Sequence, residues 1–466
     1  MPLDPDVVVL GGGPAGATAA LLLATWGHSV ELVTKPSVQH GLAVSLPPSC
    51  AKLFDAIGVS DAIDRAGFLR STGNTVWWGS HEARIESFAE GGLGWQLDVG
   101  RLSYVLLQRA IAAGVQTRAA SLELPSEPPP ASFLIDCTGR AGVLARQKNL
   151  REYDGDVRTV ALVGEWQRDG AWPVPDNTHT LIESYDDGWM WSVPTAPGVR
   201  HIAAMIDPRR TALAKGESAR GLYLAEIAKA PAFTQLIADA ALHDGPRGWD
   251  ATQYRAREYA GDGWLLAGDA GSFIDPLSSA GVKKALASGW LAAIAAHTGL
   301  ITPAMRAHAR EFFTAREREI EQHLSRDSRR FLSGASSSHA QPFWDERSDE
   351  DIEGVDEREV VQRALEHLRS RESLRAMIGP GVSTEARPCI RGNQIVLEPH
   401  VVSSEQPGGV RYIRGVDLVV LINLAPTVGT VPDLFEACVK RLGSTSLPDF
   451  LLALATAVAR GWLVAE

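Results

Sequence analysis

Cysteine is scarce in this sequence. Its 466 residues include four, Cys50, Cys137, Cys389 and Cys438, which lie far apart and form no CxxC pair. This spacing excludes a disulfide framework and a typical zinc site, so no metal centre is predicted. Positive charge is also in the minority, with 45 Lys and Arg against 56 Asp and Glu and a net charge of −11. Binding to phosphate backbones depends on basic patches, so no nucleic-acid partner is predicted.

Long apolar runs are missing as well. No stretch approaches the roughly 20 apolar residues that a membrane span needs, and the start of the sequence lacks the cationic region of a secretory signal. We therefore expect no membrane association and a cytoplasmic location. The hydrophobic content of 45% is ordinary for a globular protein, whereas 13 Trp residues are an excess that hints at aromatic-lined pockets.

The first 35 residues predict a βαβ unit. Val7–Leu10 is a run typical of a buried strand, and an Ala- and Leu-rich segment from about Pro14 to Trp26 is typical of a helix that Gly27 ends. A second strand is predicted from Ser29 to Val33. The turn between the first strand and the helix reads Gly-Gly-Gly-Pro-Ala-Gly from Gly11, which fits the G-x-G-x-x-G pattern of dinucleotide sites.

Each position in this turn has a physical role in such a site. Gly11 permits the tight turn, Gly13 lets a pyrophosphate approach the backbone, and Gly16 lets helix and strand pack closely. The helix start at Pro14 and Ala15 offers free N–H groups and a positive dipole to phosphates. A glycine-rich loop without a ligand is the alternative interpretation.

One position departs from the usual pattern. The acidic residue that binds the adenosine ribose normally ends the second strand, but Thr34 and Lys35 stand there, and Glu31 comes three residues too early. We expect a weaker or differently made ribose contact at Thr34 and Lys35.

Two later segments indicate which dinucleotide cofactor binds. The stretch from Trp264 predicts a strand, a Gly-Asp turn and a helix start, and Asp136–Arg140 predicts another passage from strand to turn. An Asp in the first turn can accept hydrogen bonds from ribityl hydroxyls, and a helix N-terminus can stabilise reduced flavin. This arrangement fits FAD better than NAD, with predicted contacts from Gly268, Asp269, Pro276, Gly281 and Val282.

The remaining segments predict the domain organisation. The fold class is α/β, with a Rossmann-type FAD-binding domain and an interleaved antiparallel-sheet substrate domain over residues 1–333, the strand-rich parts being about 75–98 and 157–207. Residues 334–384 are predicted to be a helical, acidic connector. Residues 385–466 are predicted to be a small α/β appendage, winged-helix-like in order, with helices near 432–442 and 448–460 and a terminal strand.

Several short motifs together resemble the FAD-dependent monooxygenase and halogenase superfamily, and its tryptophan-halogenase branch in particular. Trp189–Pro194 is similar to W-x-W-x-I-P, Ala43–Pro48 to G-E-x-L-P-P, and Phe273–Leu277 to F-I-D-P-L. The resemblance implies that Ser45 and Arg101 lie at the FAD. It places Trp189 and Trp191 either in a substrate pocket or in the core, and both can hold at once.

Two halogenase residues are missing from the matching positions. The lysine that intercepts hypohalous acid is replaced by Ser71, and the glutamate before Ser-Thr-Gly by Ser278. The resemblance therefore implies hydroxylation through a flavin C4a-hydroperoxide rather than halogenation. Since no second G-x-G-x-x-G has the right context, the reductant is either transient NAD(P)H or a separate flavin reductase.

The C-terminal appendage favours a protein substrate. The overall plan resembles the flavoproteins that hydroxylate a tryptophan in a small protein subunit during maturation of quinohemoprotein amine dehydrogenase, on the way to cysteine tryptophylquinone. A small-aromatic hydroxylase or halogenase and a non-catalytic assembly factor remain open. Candidate acid–base residues are His81, Glu183 and Lys283, each of which can equally be structural or solvated.

Overall fold

A computed structural model describes residues 4–35, 42–120, 133–211, 218–339, 341–348, 357–369, 373, 376–443 and 445–465. The chain divides into two units, Met1–Glu350 and Asp351–Glu466. The division falls within the predicted connector, residues 334–384, whose described part is shared between the two units.

The strands in chain order are β1 (Val7–Leu10), β2 (Val30–Thr34), β3 (Ala43–Leu46), β4 (Leu69–Ser71), β5 (Gly73–Trp77), β6 (Arg84–Ser87), β7 (Gly94–Asp98), β8 (Gln116–Ala119), β9 (Phe133–Asp136), β10 (Arg151–Tyr153), β11 (Val160–Gln167), β12 (Thr180–Tyr185), β13 (Gly188–Ala196), β14 (Val199–Ile206), β15 (Ala241–Asp250), β16 (Tyr254–Ala256), β17 (Ala260–Gly261), β18 (Trp264–Leu266), β19 (Ser272–Phe273), β20 (Ala376–Ile378), β21 (Ser383–Arg391), β22 (Gln394–Val402), β23 (Tyr412–Ile413), β24 (Val416–Asp417) and β25 (Leu463–Ala465).

The α-helices are α1 (Pro14–Thr25), α2 (Ala51–Ile57), α3 (Ser60–Ala66), α4 (Val99–Ala112), α5 (Val143–Gln147), α6 (Ala219–Ile227), α7 (Pro231–Leu236), α8 (Gly281–Ile301), α9 (Arg306–Ser336), α10 (Pro342–Asp345), α11 (Glu357–Arg369), α12 (Leu418–Leu424), α13 (Val431–Leu442) and α14 (Leu447–Ala459).

A sheet of order β17–β18–β9–β1–β2–β8 carries the nucleotide turn. Strand β1 pairs in parallel with β2 and β9, with Val7 opposite both Val30 and Phe133. All four β1 residues are buried, as expected for a central parallel strand covered on both faces. Helix α1 packs against α4 and α8 through its small and apolar residues. The predicted βαβ unit is confirmed.

A second, seven-stranded sheet has the order β15–β11–β14–β13–β12–β5–β6. The predicted strand-rich stretch 157–207 supplies β11 to β14, which pair antiparallel in the orders β12–β13–β14 and β14–β11. The stretch 75–98 is divided between two sheets, because β7 pairs with β3 and β4 instead. Strand β5 runs parallel to β12, which corrects the expectation of purely antiparallel pairing.

The second unit consists of α11, the long hairpin β21–β22, helices α12 to α14 and the strand pair β20–β25. Its two predicted helices and its terminal strand are present, whereas α12 was not predicted. Leu418, Leu421, Phe450, Leu454 and Trp462 form the centre of its core. In the described part of the chain no single helix has the length and apolarity of a membrane span, although α13 and α14, bent by 110°, reach that length and composition as a pair.

Candidate active site

The turn between β1 and α1 has the geometry of a phosphate-binding turn. Gly11 has φ +101°, and a Cβ there would lie 2.3 Å from the carbonyl oxygen of Cys137. A Cβ at Gly16 would lie 1.9 Å from the carbonyl oxygen of Gly11. A Cβ at Gly13 would meet nothing within 4 Å, and no side chain caps the helix there. The helix N-terminus is therefore open to an anion at Gly13.

The end of β2 carries the departure from the usual ribose site. A Cβ at Gly12 would lie 2.8 Å from the Thr34 hydroxyl oxygen, so Thr34 borders the glycine turn, while Lys35 is exposed. The Glu31 carboxylate forms a salt bridge with Arg118, whose Nε lies 2.5 Å away. An acid for the ribose is therefore not available from this strand.

The Gly-Asp turn lies after β18, at the same end of the sheet. Gly268 has φ +62°, and its N–H donates to the Ser288 hydroxyl at 2.7 Å. The Tyr254 hydroxyl donates to the Asp269 carbonyl at 2.5 Å. The third predicted segment is organised by the buried Asp136 carboxylate, which accepts from the N–H groups of Thr138 and Leu144.

A cavity of about 430 Å³ joins these turns to the seven-stranded sheet. Residues from the nucleotide half and residues from β12, β13 and β15 share its lining. The predicted site residues in this lining are Pro14, Ser45, Asp269, Pro276, Gly281, Val282, Trp189 and Trp191. Gly11, Gly13, Ala15, Gly16, Gly268, Thr34, Lys35 and Arg101 do not line it. The first five of these form the turns beside it, whereas Arg101 is exposed and stacks over Phe68.

Tryptophan side chains form one wall of the cavity. Trp189 and Trp191 lie two residues apart on β13 and project from the same face, with ring centroids 5.5 Å apart. Trp189 is 1% exposed and also packs edge-on against Trp78, so it belongs to the core and to the lining at once. Trp249 on β15 completes the lining and is 41% exposed. Sequence reasoning missed Trp249, for which the high Trp content was the only hint.

Polar groups in this lining are few. Among its described residues Asp269 is the only ionisable side chain, accompanied by the hydroxyls of Ser45, Ser103, Thr180 and Ser279. The Thr180 hydroxyl accepts from the Gln96 amide at 3.0 Å, and Gln96 is 1% exposed. Thr180 is thus a fixed polar point in a largely apolar cavity.

None of the three acid–base candidates lies in the cavity lining. Glu183 projects from the opposite face of β12, where its carboxylate accepts from the N–H groups of Ala232 and Phe233 at the start of α7. Burial raises its pKa, and these two N–H groups oppose the shift. His81 is exposed, and the Lys283 ammonium donates to the Ser49 hydroxyl at 2.9 Å.

The position of the halogenase lysine is closed. Ser71 at the end of β4 is fully buried, and its hydroxyl donates to the Gly73 carbonyl at 3.1 Å. A long cationic side chain has no room to extend from this position without displacing its neighbours. The side chain of Ser278 lies outside the described part of the structure.

Comparison with known proteins agrees with this geometry. A family model for the FAD binding domain matches residues 4–126. A tryptophan 2-halogenase from Chondromyces crocatus is 29% identical over 355 residues, which cover 67% of this chain and 65% of that protein. The flavin-dependent halogenase armH3 from Armillaria mellea is 27% identical over 338 residues, covering 63% and 67%. Residues 4–126 thus match an FAD binding domain, and about two thirds of the chain is similar in sequence to flavin-dependent halogenases.

Solved structures extend the similarity beyond the sequence alignments. The flavin-dependent halogenase CmlS superposes with a TM-score of 0.82 at 18% identity, covering 100% of this chain and 96% of its own. The peptidyl tryptophan dihydroxylase QhpG superposes with a TM-score of 0.66 at 22% identity, covering 98% and 100%. At these identities the two structures establish the halogenase-like fold. The chain spans 65% of the length of the C. crocatus enzyme, slightly less than two thirds.

The family model that matches residues 4–126 is that of an FAD binding domain, and the residues present fit FAD. The open helix start at Gly13 suits the pyrophosphate, and Gly281, where a Cβ would also meet nothing within 4 Å, begins α8 at the cavity. The cavity that joins the two turns offers Asp269 for hydroxyl groups.

Proposed function

We propose that this chain is an FAD- and O2-dependent monooxygenase that hydroxylates the ring of a tryptophan carried by a protein substrate. The observation that carries the proposal is Ser71, a buried serine at the position where the halogenase resemblance calls for a lysine. A serine cannot form the haloamine that halogenation needs. Bound FAD supplies the redox chemistry and the activation of O2.

The cavity fits the remaining tasks of such an enzyme. Its lining is largely apolar, and Trp189, Trp191 and Trp249 offer surfaces on which an indole can stack. The Thr180 hydroxyl can hold a polar atom of the substrate in one orientation. Direct transfer of oxygen to an electron-rich ring needs orientation more than it needs a strong base, which agrees with Asp269 as the sole ionisable group in the described lining.

A protein substrate is supported by the similarity to QhpG, which is a peptidyl tryptophan dihydroxylase essential for tryptophylquinone cofactor biogenesis. We extend the proposal to a small protein subunit that bears the target tryptophan and to the biogenesis of a tryptophylquinone cofactor. The electron donor in this proposal is a separate flavin reductase or transient NAD(P)H, and the location is cytoplasmic.

A second candidate function is halogenation or hydroxylation of a small aromatic compound. It is favoured by the sequence relatives from Chondromyces crocatus and Armillaria mellea, which are halogenases. The two candidates differ in the substrate that the cavity accepts, a polypeptide-borne indole or a free one.

A single-turnover experiment separates them. The FAD-loaded enzyme is reduced with dithionite, mixed with oxygenated buffer and either a tryptophan-containing polypeptide or free tryptophan, and the products are analysed by mass spectrometry. We expect oxygen on the polypeptide tryptophan and little change in free tryptophan. Turnover of the free amino acid alone would overturn the proposal, and so would an unmodified polypeptide, which is the expectation for an assembly factor. The Gly13→Val variant, which should lack FAD, serves as the matched control.

A further inference from the structure

A buried lysine of helix α8, Lys284, forms hydrogen bonds to the backbone around the Gly-Asp turn. The side chain of Lys284 is 0% exposed, and its ammonium donates to the carbonyl oxygens of Gly268 at 3.1 Å and Ser272 at 2.5 Å. The same nitrogen lies 3.6 Å from the Asp269 carboxylate. One helical turn later, Ser288 accepts from the N–H of Gly268. Both backbone polar groups of Gly268 are therefore held by α8.

Burying the Lys284 ammonium carries a desolvation cost in free energy. Removing a charge from water costs several kcal/mol unless partners compensate, and an apolar side chain would often serve as well for stability alone. Here the compensation comes from the two carbonyls and from the Asp269 carboxylate. Glu317 is buried, and its burial raises the pKa of its carboxyl to about 7 against the opposing effect of Lys284. The burial of the Lys284 ammonium despite this cost indicates a functional role at the Gly268–Asp269 turn. This turn places Asp269 in the cavity lining.

We propose that Lys284 is a positioning residue for FAD, which holds the Gly268–Asp269 turn in its binding conformation and, by its positive charge, makes the bound flavin easier to reduce. The ionised Glu317 carboxylate would oppose that charge. The inference rests on the FAD site and not on the identity of the substrate, so it survives if the proposed tryptophan hydroxylation fails.

The test compares Lys284→Met, Lys284→Arg and Glu317→Gln by the dissociation constant of FAD and by the midpoint potential of the bound flavin. Loss of hydrogen bonds from a charged donor predicts FAD binding weaker by about tenfold to a hundredfold in Lys284→Met, with a lower potential. The arginine variant should recover part of both. Glu317→Gln leaves the contacts of Lys284 with Gly268 and Ser272 intact. Measured at about pH 8, where the Glu317 carboxyl is ionised, it should raise the potential without weakening FAD binding. The exposed Lys52→Met is the control.

A folded Lys284→Met protein with unchanged FAD affinity and potential would overturn the proposal. If that variant does not fold, Glu317→Gln decides alone, because its potential should move upwards. An unchanged or lower potential in Glu317→Gln would mean that the buried charge has no part in flavin reduction.

Discussion

The glycine turn allows FAD binding to be separated from folding by two single substitutions. At Gly13 the backbone is extended, with φ −72° and ψ −176°, and a Cβ would meet nothing within 4 Å. Gly13→Val should therefore cost about 1 kcal/mol in stability, the usual scale for an unfavourable residue at a helix N-cap. Its branched side chain would occupy the space that a phosphate needs. Losing two charge-assisted hydrogen bonds there costs about 3 kcal/mol, or about a hundredfold in FAD affinity.

Gly16→Ala is the contrasting change. Its Cβ would lie 1.9 Å from the Gly11 carbonyl oxygen, so helix and strand must move apart at a cost of about 3 kcal/mol. The assay measures the ratio of FAD to protein by absorbance after purification, together with a thermal melt. We expect Gly13→Val to be folded and colourless and Gly16→Ala to be unstable. A folded Gly13→Val protein that keeps stoichiometric FAD would refute the assignment of the turn.

Three further predictions concern Ser71, Glu183 and Glu317. Ser71→Lys should lower the melting temperature and introduce no halogenation, because it buries an ammonium where a hydroxyl now binds Gly73, and chlorinated product from this variant would contradict the reasoning. Glu183→Ala should destabilise the protein by about 1 to 3 kcal/mol, because it leaves two N–H groups at the start of α7 without an acceptor. The affinity for FAD, measured by equilibrium dialysis, should not change. Because burial raises the Glu317 pKa to about 7, the folded protein favours the protonated carboxyl. The stability that this carboxyl contributes is present at acidic pH and is lost as the pH rises through that value. Urea titrations from about pH 5 to about pH 8 should show a loss on the order of 3 kcal/mol that Glu317→Gln removes and the exposed Glu319→Gln keeps.

The parts of the fold that were predictable are those that neighbouring residues determine. The run Val7–Leu10, the glycine turn and the Ala-rich helix that follows lie within 25 residues, so local pattern and turn chemistry were sufficient for β1 and α1. The two C-terminal helices were recognisable for the same reason. The split of residues 75–98 between two sheets was not, because strand pairing depends on partners such as β3 and β12 that lie elsewhere in the chain.

The candidate site was predictable in its cofactor half and in the Trp189–Trp191 pair, and its other residues were not. Lys284 meets Gly268 sixteen residues away, and no local pattern marks a lysine as buried. Trp249 follows a polar Gly-Pro segment of β15 that does not read as a strand. Glu183 could have been excluded, because strand alternation places it on the face opposite to Ile182, which lines the cavity.

The isotopic composition of the product shows directly whether the enzyme transfers an oxygen atom of O2 to the indole ring. A tryptophan-bearing polypeptide is incubated with the FAD-loaded enzyme, a reductant, ¹⁸O2 and chloride, and its tryptophan peptide is sequenced by mass spectrometry. We expect ¹⁸O on the indole ring and no chlorine. Chlorine on the ring, or oxygen that comes from water, would contradict it.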